Sequence, residues 1–412
     1  MARAPRRGAG LGLGPPPLTG ARAAPARGEG PREPPRRALA SPRRPHRARA
    51  RRGGSRHPGR PRQDDPDTRN AQEEPVTEQT AATPLTPAAA GPASHFTRAF
   101  ETVAQLREEI GRAVVGQHVV VEETLTALLA GGHILVEGVP GLGKTLLVLA
   151  LARAFGGSFA RIQFTPDLMP TDVTGHAVFD AKTQDFRIRR GPAFAHLVLA
   201  DEINRAPAKT QAALLEVMQE NQISIEGQSF PVPQPYLVVA TQNPIEMEGT
   251  YPLPEAQLDR FLLKIHIDYP AAAEEVALVK AVTGGRVGQA LDVSAVNQVA
   301  SPELVSWLQS VAAAVLVDDR ITDYAVRIVR ATRTFPGIRN GAGPRGAIAL
   351  VRAARAMALL QGRDFVVPDD VRRVALPVLI HRVIVSPELE IEGQRASKIV
   401  PALLEKVEAP RL

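Results

Sequence analysis

The chain has no cysteine among its 412 residues, which excludes disulfides, thiolate zinc sites and cysteine nucleophiles and fits a reducing compartment. No stretch reaches the roughly 18 uncharged apolar residues that a membrane-spanning helix needs, and no short apolar segment follows the N-terminal arginines as a secretory signal would require. A soluble, cytoplasmic protein is expected. Acidic residues are nearly missing from the N-terminus: residues 1–62 carry 17 Arg against Glu29 and Glu33, a net of +15, so the other 350 residues sum to −8 within the formal total of +7. The basicity therefore belongs to the tail.

Residues 1–93 are rich in Arg, Pro, Ala and Gly and poor in aromatic and β-branched residues. They cannot bury enough apolar surface to offset the entropy of ordering, so disorder is expected. The pairs Arg6-Arg7, Arg36-Arg37, Arg43-Arg44 and Arg51-Arg52 admit sequence-independent nucleic-acid contact or an organelle transit peptide. Against the first stands the absence of interleaved aromatics, so nucleic acid is not expected as a partner; against the second stands the absence of an apolar helix face. A third reading is translation from an upstream start in a GC-rich gene, with the natural start nearer Val76.

What the chain does have is a normal 44% hydrophobic content, enough for two domains beyond the tail. Gly138-Val139-Pro140-Gly141-Leu142-Gly143-Lys144-Thr145 fits the phosphate-binding pattern G-x-x-x-x-G-K-[ST] without a mismatch. The glycines let successive backbone N–H groups face one concavity, Lys144 adds a positive charge, and the Thr145 hydroxyl can hold magnesium. A strand over 131–137 and an apolar helix over 144–155 flank the loop, which sets a helix N-terminus against the phosphates. A plain glycine turn is the alternative.

Ala195-His196-Leu197-Val198-Leu199-Ala200 reads as a buried parallel strand ending in Asp201-Glu202, the end at which open α/β sheets bind ligands. Asp201 is placed to hold magnesium and Glu202 to polarise an attacking water; a solvated turn or helix cap is the plainer alternative. Tyr236–Thr241 reads as another buried strand, ending at Gln242-Asn243-Pro244, where Asn243 can bond a γ-phosphate or lytic water or simply make a turn. Further strand signals lie at 159–164, two hairpins at 176–189 and 222–232, and helices over 99–114, after Gln117 to about Leu129, and over 208–220. Val115-Gly116-Gln117, between two helices ahead of the loop, is a candidate adenine contact or an ordinary connection.

These motifs, together with Phe164-Thr165-Pro166-Asp167-Leu168-Met169-Pro170-Thr171-Asp172, Leu199-Ala200-Asp201-Glu202-Ile203-Asn204-Arg205-Ala206 and Ala240-Thr241-Gln242-Asn243-Pro244 in order, closely resemble the MoxR family of AAA+ ATPases, from about residue 95 to the C-terminus. The resemblance implies an α/β parallel-sheet core over 94–270 and an all-α lid over 271–412, after the tail at 1–93. It makes Lys144 and Thr145 part of Walker A, Asp201 and Glu202 Walker B, and Asn243 sensor 1. The two hairpins become the helix-2 insert and the pre-sensor-1 hairpin, thought to face the pore or a bound partner. Glu255-Ala256-Gln257-Leu258-Asp259-Arg260-Phe261 matches the arginine-finger segment, giving that role to Arg260, with Arg205 as the rival for a contact to the next subunit and a salt bridge to Asp259 or Glu255 as the plain alternative. Gly343-Pro344-Arg345-Gly346-Ala347 matches the sensor 2 turn.

A physical argument supports that last match. A cation in the first turn of a helix, where Arg345 sits, is unfavourable unless an anion is near, and a γ-phosphate would supply one, with the lid closing through Arg345. Lid helices are expected over 302–316, 323–335, 344–361 and 368–376, with Arg320, Arg327, Arg330 and Arg333 on solvated faces or in salt bridges. Overall the resemblance implies a magnesium-dependent ATPase ring, a hexamer, acting as a chaperone in maturation or cofactor insertion, with a von Willebrand factor A domain partner and an unidentified client. A metal-chelatase or rubisco-activase type motor is a second reading, an ATP-dependent DNA-binding regulator a third, and a non-hydrolysing scaffold a fourth.

Overall fold

The computed structural model describes residues 92–139, 141–243, 249–283 and 293–411. Pro140 of the phosphate loop, Pro244 and the expected tail up to residue 91 lie outside them. Pro92 opens the first helix, α1 (Pro92–Ala113), where its missing N–H costs nothing and its φ is already helical. α1 therefore starts earlier than the expected residue 99 and reaches two residues into the segment expected to be disordered. Its stripe Ala99, Val103, Leu106 and Ile110 is buried, one helix face at three- to four-residue spacing. α2 (His118–Leu129) ends where Gly131 takes φ +61 and Gly132 N donates to Ala127 O at 2.9 Å. That left-handed turn is why the next strand, β1 (Ile134–Gly138), begins three residues later than the sequence pattern implied.

The core then runs through α3 (Lys144–Phe155), β2 (Phe159–Gln163), α4 (Pro170–Thr174), the hairpin β3 (Gly175–Asp180) and β4 (Asp185–Arg190), β5 (Leu197–Asp201), α5 (Ala208–Glu220), the hairpin β6 (Gln222–Ile225) and β7 (Gln228–Pro231), β8 (Leu237–Gln242), α6 (Glu255–Leu258) and β9 (Leu263–Ile267). Five strands form a parallel sheet in the order β2-β5-β8-β1-β9. Leu197–Ala200 and Leu237–Ala240 are buried on both faces, as a sheet covered by helices on each side requires. The β6–β7 turn has Glu226 at φ 48 and Gly227 at φ 77, the two left-handed residues that match the twist of a tight hairpin.

After β9 come α7 (Ala272–Thr283), α8 (Pro302–Ala314), α9 (Asp319–Ala331), β10 (Ile338–Asn340), α10 (Pro344–Leu360), α11 (Pro368–Leu379), β11 (Ile384–Val385), α12 (Pro387–Ile391) and α13 (Ala396–Lys406). The lid is helical, with one short antiparallel pair, β10–β11, inside it. α9 starts four residues before the expected Asp323 because the Asp318 side chain accepts from Arg320 N and caps it. α7, α12 and α13 were not expected. Arg320 pairs with Asp318 at 2.9 Å and Arg327 with Asp323 at 2.8 Å, while Arg333 Nε donates to Ala342 O at 3.0 Å.

Lid and core share one hydrophobic cluster: Leu125 and Leu128 of α2 belong to it with Leu350 and Leu359 of α10. Arg352 of α10 donates to Ala130 O at 2.6 Å and Gly131 O at 3.0 Å, capping the carbonyl end of α2 with a cation. The lid is therefore seated at the amino end of β1. The five residues of β1 span roughly 16 Å at 3.3 Å each, and the phosphate loop lies beyond their other end.

Candidate functional site

The loop after β1 is built by its glycines. A Cβ on Gly138 would stand 2.7 Å from Ile267 O of β9, so only glycine lets the two strands run this close. Gly141 (φ +88) and Gly143 (φ +79) hold left-handed backbone, and a Cβ on either would meet nothing within 4 Å. Open space beside them is the room a phosphate needs. Gly143 is the N-cap of α3 and no side chain caps its amide groups, which leaves that end to an anion. Lys144 Nζ donates to Gly138 O at 2.6 Å. Burial holds its ammonium below the ordinary lysine range, with Asp201, Glu202 and Glu137 pulling the other way.

A cavity of about 340 Å³ opens on this loop, and Lys144, Thr145, Asp201, Glu202 and Asn243 all line it. These five expected site residues thus converge from the ends of two strands, β5 and β8, and the start of one helix, α3. Arg161, Gln163 and Thr241 line it too, and the sequence reading gave them no role. Arg161 and Gln163 sit two apart on β2, so they share one face of the strand; that periodicity was the signal available. Thr241 Oγ1 donates to Asp201 Oδ1 at 2.6 Å and accepts from Glu202 N at 2.9 Å, so one hydroxyl orders both acids. Arg161 Nη2 reaches Asp201 Oδ2 at 2.6 Å.

Glu202 is held in left-handed backbone, φ 56 and ψ 49, uncommon for a residue with a side chain and costing on the order of 1 kcal/mol. Its carboxylate accepts from Gln163 Nε2 at 2.9 Å and pairs with Arg205 Nε at 3.0 Å. Arg205, the rival arginine finger, thus contacts the candidate base of its own chain. The Thr145 hydroxyl and the Asp201 carboxylate in one cavity are hard oxygen ligands that suit magnesium. No cluster of three or more His, Cys, Asp or Glu among the described residues could hold a metal alone, so such an ion would take its remaining ligands from phosphate and water.

Val115, Gly116 and Gln117 do not line that cavity. Gly116 has φ +77, and a Cβ there would fall 2.8 Å from Glu274 of α7; Gln117 Nε2 donates to Asp268 O at 3.0 Å. The segment is docked against the connection from core to lid, an arrangement compatible with an adenine contact.

Arg260 and Arg345 are brought together, but elsewhere. Both line a second cavity of about 420 Å³ with Gly132, His133 and Asp259, at the amino end of β1. Arg260 Nη1 donates to Leu215 O of α5 at 2.7 Å; Asp259 instead pairs with Arg382 at 2.8 Å and Arg345 at 3.7 Å. Arg345, expected to close the lid onto a γ-phosphate, does not line the phosphate cavity of its own chain here. α10 is seated on the end of α2, a strand's length from the loop, and the anion beside its first turn is the Asp259 carboxylate.

The comparisons agree with this architecture. Residues 133–263 match the family model of the ATPase family associated with various cellular activities, and residues 330–403 match the AAA lid domain. The Bacillus subtilis protein YeaC is 46% identical over 303 residues, covering 74% of this chain and 93% of YeaC. Chaperone MoxR1 of Mycobacterium tuberculosis is 43% identical over 341 residues, 81% of this chain and 89% of MoxR1. A solved structure from Cytophaga hutchinsonii aligns with a TM-score of 0.72 at 40% identity, covering 77% of this chain and 98% of that one. With a phosphate loop, paired acids, a five-stranded parallel sheet and a helical lid in that order, the chain belongs to the MoxR family of AAA+ ATPases.

Proposed function

We propose that this protein hydrolyses ATP with magnesium at the interfaces of a homo-oligomeric ring, a hexamer, and uses the cycle for chaperone-like maturation of client proteins in the cytoplasm. The observation that carries the reading is the separation of two half-sites. Lys144, Thr145, Asp201, Glu202 and Asn243 line one cavity, while Arg260 and Arg345 line another at the opposite end of the strand that carries the loop. Two arginines held there reach a phosphate only if a neighbouring subunit presents it. A repeated head-to-tail contact closing into a ring does this at every interface.

In this reading Lys144 and the α3 amide groups hold the β- and γ-phosphates, and Asn243 orients the γ-phosphate or the water. Glu202, once freed from Gln163 and Arg205, takes the water's proton. Bound magnesium supplies charge neutralisation at the phosphate oxygens, held by Thr145 and Asp201. Arg260 and Arg345 of the adjacent subunit add positive charge where negative charge develops. The hairpin β3–β4 presents Phe179 and Phe186, 54% and 67% exposed and in edge contact at 5.4 Å. It is our candidate surface for the client or a von Willebrand factor A domain partner.

Steady-state ATPase assays with bound-nucleotide analysis test the reading. Glu202→Gln should keep ATP bound and lose about 100-fold or more in turnover, and Lys144→Ala should lose nucleotide binding. Turnover of Glu202→Gln within a few-fold of wild type would overturn the base assignment. Affinity capture with the ATP-trapped variant then identifies the client.

A further inference from the structure

Arg382 follows α11 in the lid, and its side chain is 4% exposed. A guanidinium has five N–H donors in a fixed fork, and here each has an acceptor. Nε donates to Asp259 Oδ1 at 2.8 Å, and Nη2 to Asp259 O at 3.3 Å and to Phe261 O at 2.7 Å. Nη1 donates to Leu262 O at 3.1 Å and to Val378 O of α11. Four of the five bonds therefore end on residues 259, 261 and 262, and they bracket Arg260 on both sides. His381 adds a fifth contact to the segment, Nε2 to Phe261 O at 3.1 Å. Arg260 itself sends Nη1 to Leu215 O.

We infer that Arg382 is a positioning residue for Arg260: through it the lid fixes where the finger stands at the interface with the next subunit. The inference rests on the ring reading above and adds a coupling to it. With the backbone pinned at 259, 261 and 262, the base of the Arg260 side chain cannot shift unless the lid shifts. Asp259 extends the linkage, since its other carboxylate oxygen faces Arg345 at 3.7 Å, so Arg260 and Arg345 are both referenced to the same lid residue. A lysine cannot substitute: one ammonium with three donors cannot reach acceptors spread over three residues. Because this work is done for a neighbour's phosphate, the defect of an Arg382 variant should appear in the adjacent subunit's active site and not in its own.

The test is mixed-ring complementation. Arg382→Gln and Arg382→Lys are made, with Arg260→Ala as reference, and each is mixed as dissociated subunits with Glu202→Gln before assembly is driven by nucleotide. Glu202→Gln subunits have no working base but carry an intact finger. Alone, each Arg382 variant should assemble, bind nucleotide with an affinity within about two-fold of wild type, and turn over about 30- to 100-fold more slowly, the scale of a misplaced catalytic group. Mixed with Glu202→Gln, each should exceed the average of the separate preparations several-fold, because its own sites now face correctly placed fingers.

Rescue of Arg260→Ala without rescue of the Arg382 variants would overturn the inference and leave the ring reading standing. Absence of rescue for Arg260→Ala would overturn the ring reading itself. The lysine variant keeps the charge and stem for the case in which glutamine prevents folding; wild-type turnover in Arg382→Lys rings would overturn the inference.

Discussion

Of the residues that line the first cavity, Lys144, Thr145, Asp201, Glu202 and Asn243 were legible in the chain because each sits in a motif that its immediate neighbours set up, whereas Arg161, Gln163 and Thr241 were not. Glycines at 138, 141 and 143 curl the backbone that Lys144 and Thr145 follow, and a buried strand delivers Asp201 and Glu202 to its end. Arg382 was not legible, because its role is set by a contact to Asp259, 123 residues away in sequence, and nothing local to Val378–Val383 announces it. His133 is another such residue. Its Nε2 bonds Met218 O at 3.0 Å and its Nδ1 accepts from Val238 N at 3.1 Å, which fixes a neutral ring. Burial presses its pKa down to about 4.

A depressed histidine pKa contributes stability that is present above the unfolded value near 6.5 and lost as pH falls toward about 4. At full effect this is about 3 kcal/mol. Urea unfolding of the wild type should show stability declining from pH 6.5 toward 4. His133→Gln, which keeps a donor and an acceptor, should flatten that decline; an unchanged slope in the variant would remove His133 as the cause.

At the scale of elements, the strands of the sheet and the long amphipathic helices followed from period and apolar content, while several ends did not. β1 starts late because Gly131 closes α2 in left-handed backbone, and α9 starts early because Asp318 caps it. Each boundary was decided by one residue's conformation or hydrogen bond and not by pattern. The seat of α10 was hidden more completely, since the sequence match to a phosphate-sensing turn says nothing about which end of the sheet the helix occupies. A tight fit between elements gives a further check. Because a Cβ at 138 would stand 2.7 Å from the Ile267 carbonyl, Gly138→Ala should push β1 and β9 apart and cost about 1–3 kcal/mol. Denaturant titration reads this as a lower midpoint with an unchanged slope; an unshifted midpoint would show that the two strands have slack.

At the scale of the whole molecule, the separation of the phosphate cavity from the Arg260–Arg345 cavity turns a question of chemistry into one of assembly. In the proposed function Lys144, Thr145 and the α3 amide groups of one chain hold the nucleotide, while neither Arg260 nor Arg345 lines that chain's own phosphate cavity. Lid and core share one hydrophobic cluster, so in the proposed ring the lid belongs to the face that would meet the neighbour, and Arg382 ties the lid to the Arg260 segment. No helix among the described residues is long and apolar enough to cross a membrane.

The most direct test is ATPase activity per subunit measured across protein concentration, with light scattering on the same samples. The account predicts a rate per subunit that rises in step with the population of rings, and an Arg260→Ala protein that forms the same rings while remaining about 100-fold or more slower. A per-subunit rate independent of concentration, or full activity in assembled Arg260→Ala, would contradict it.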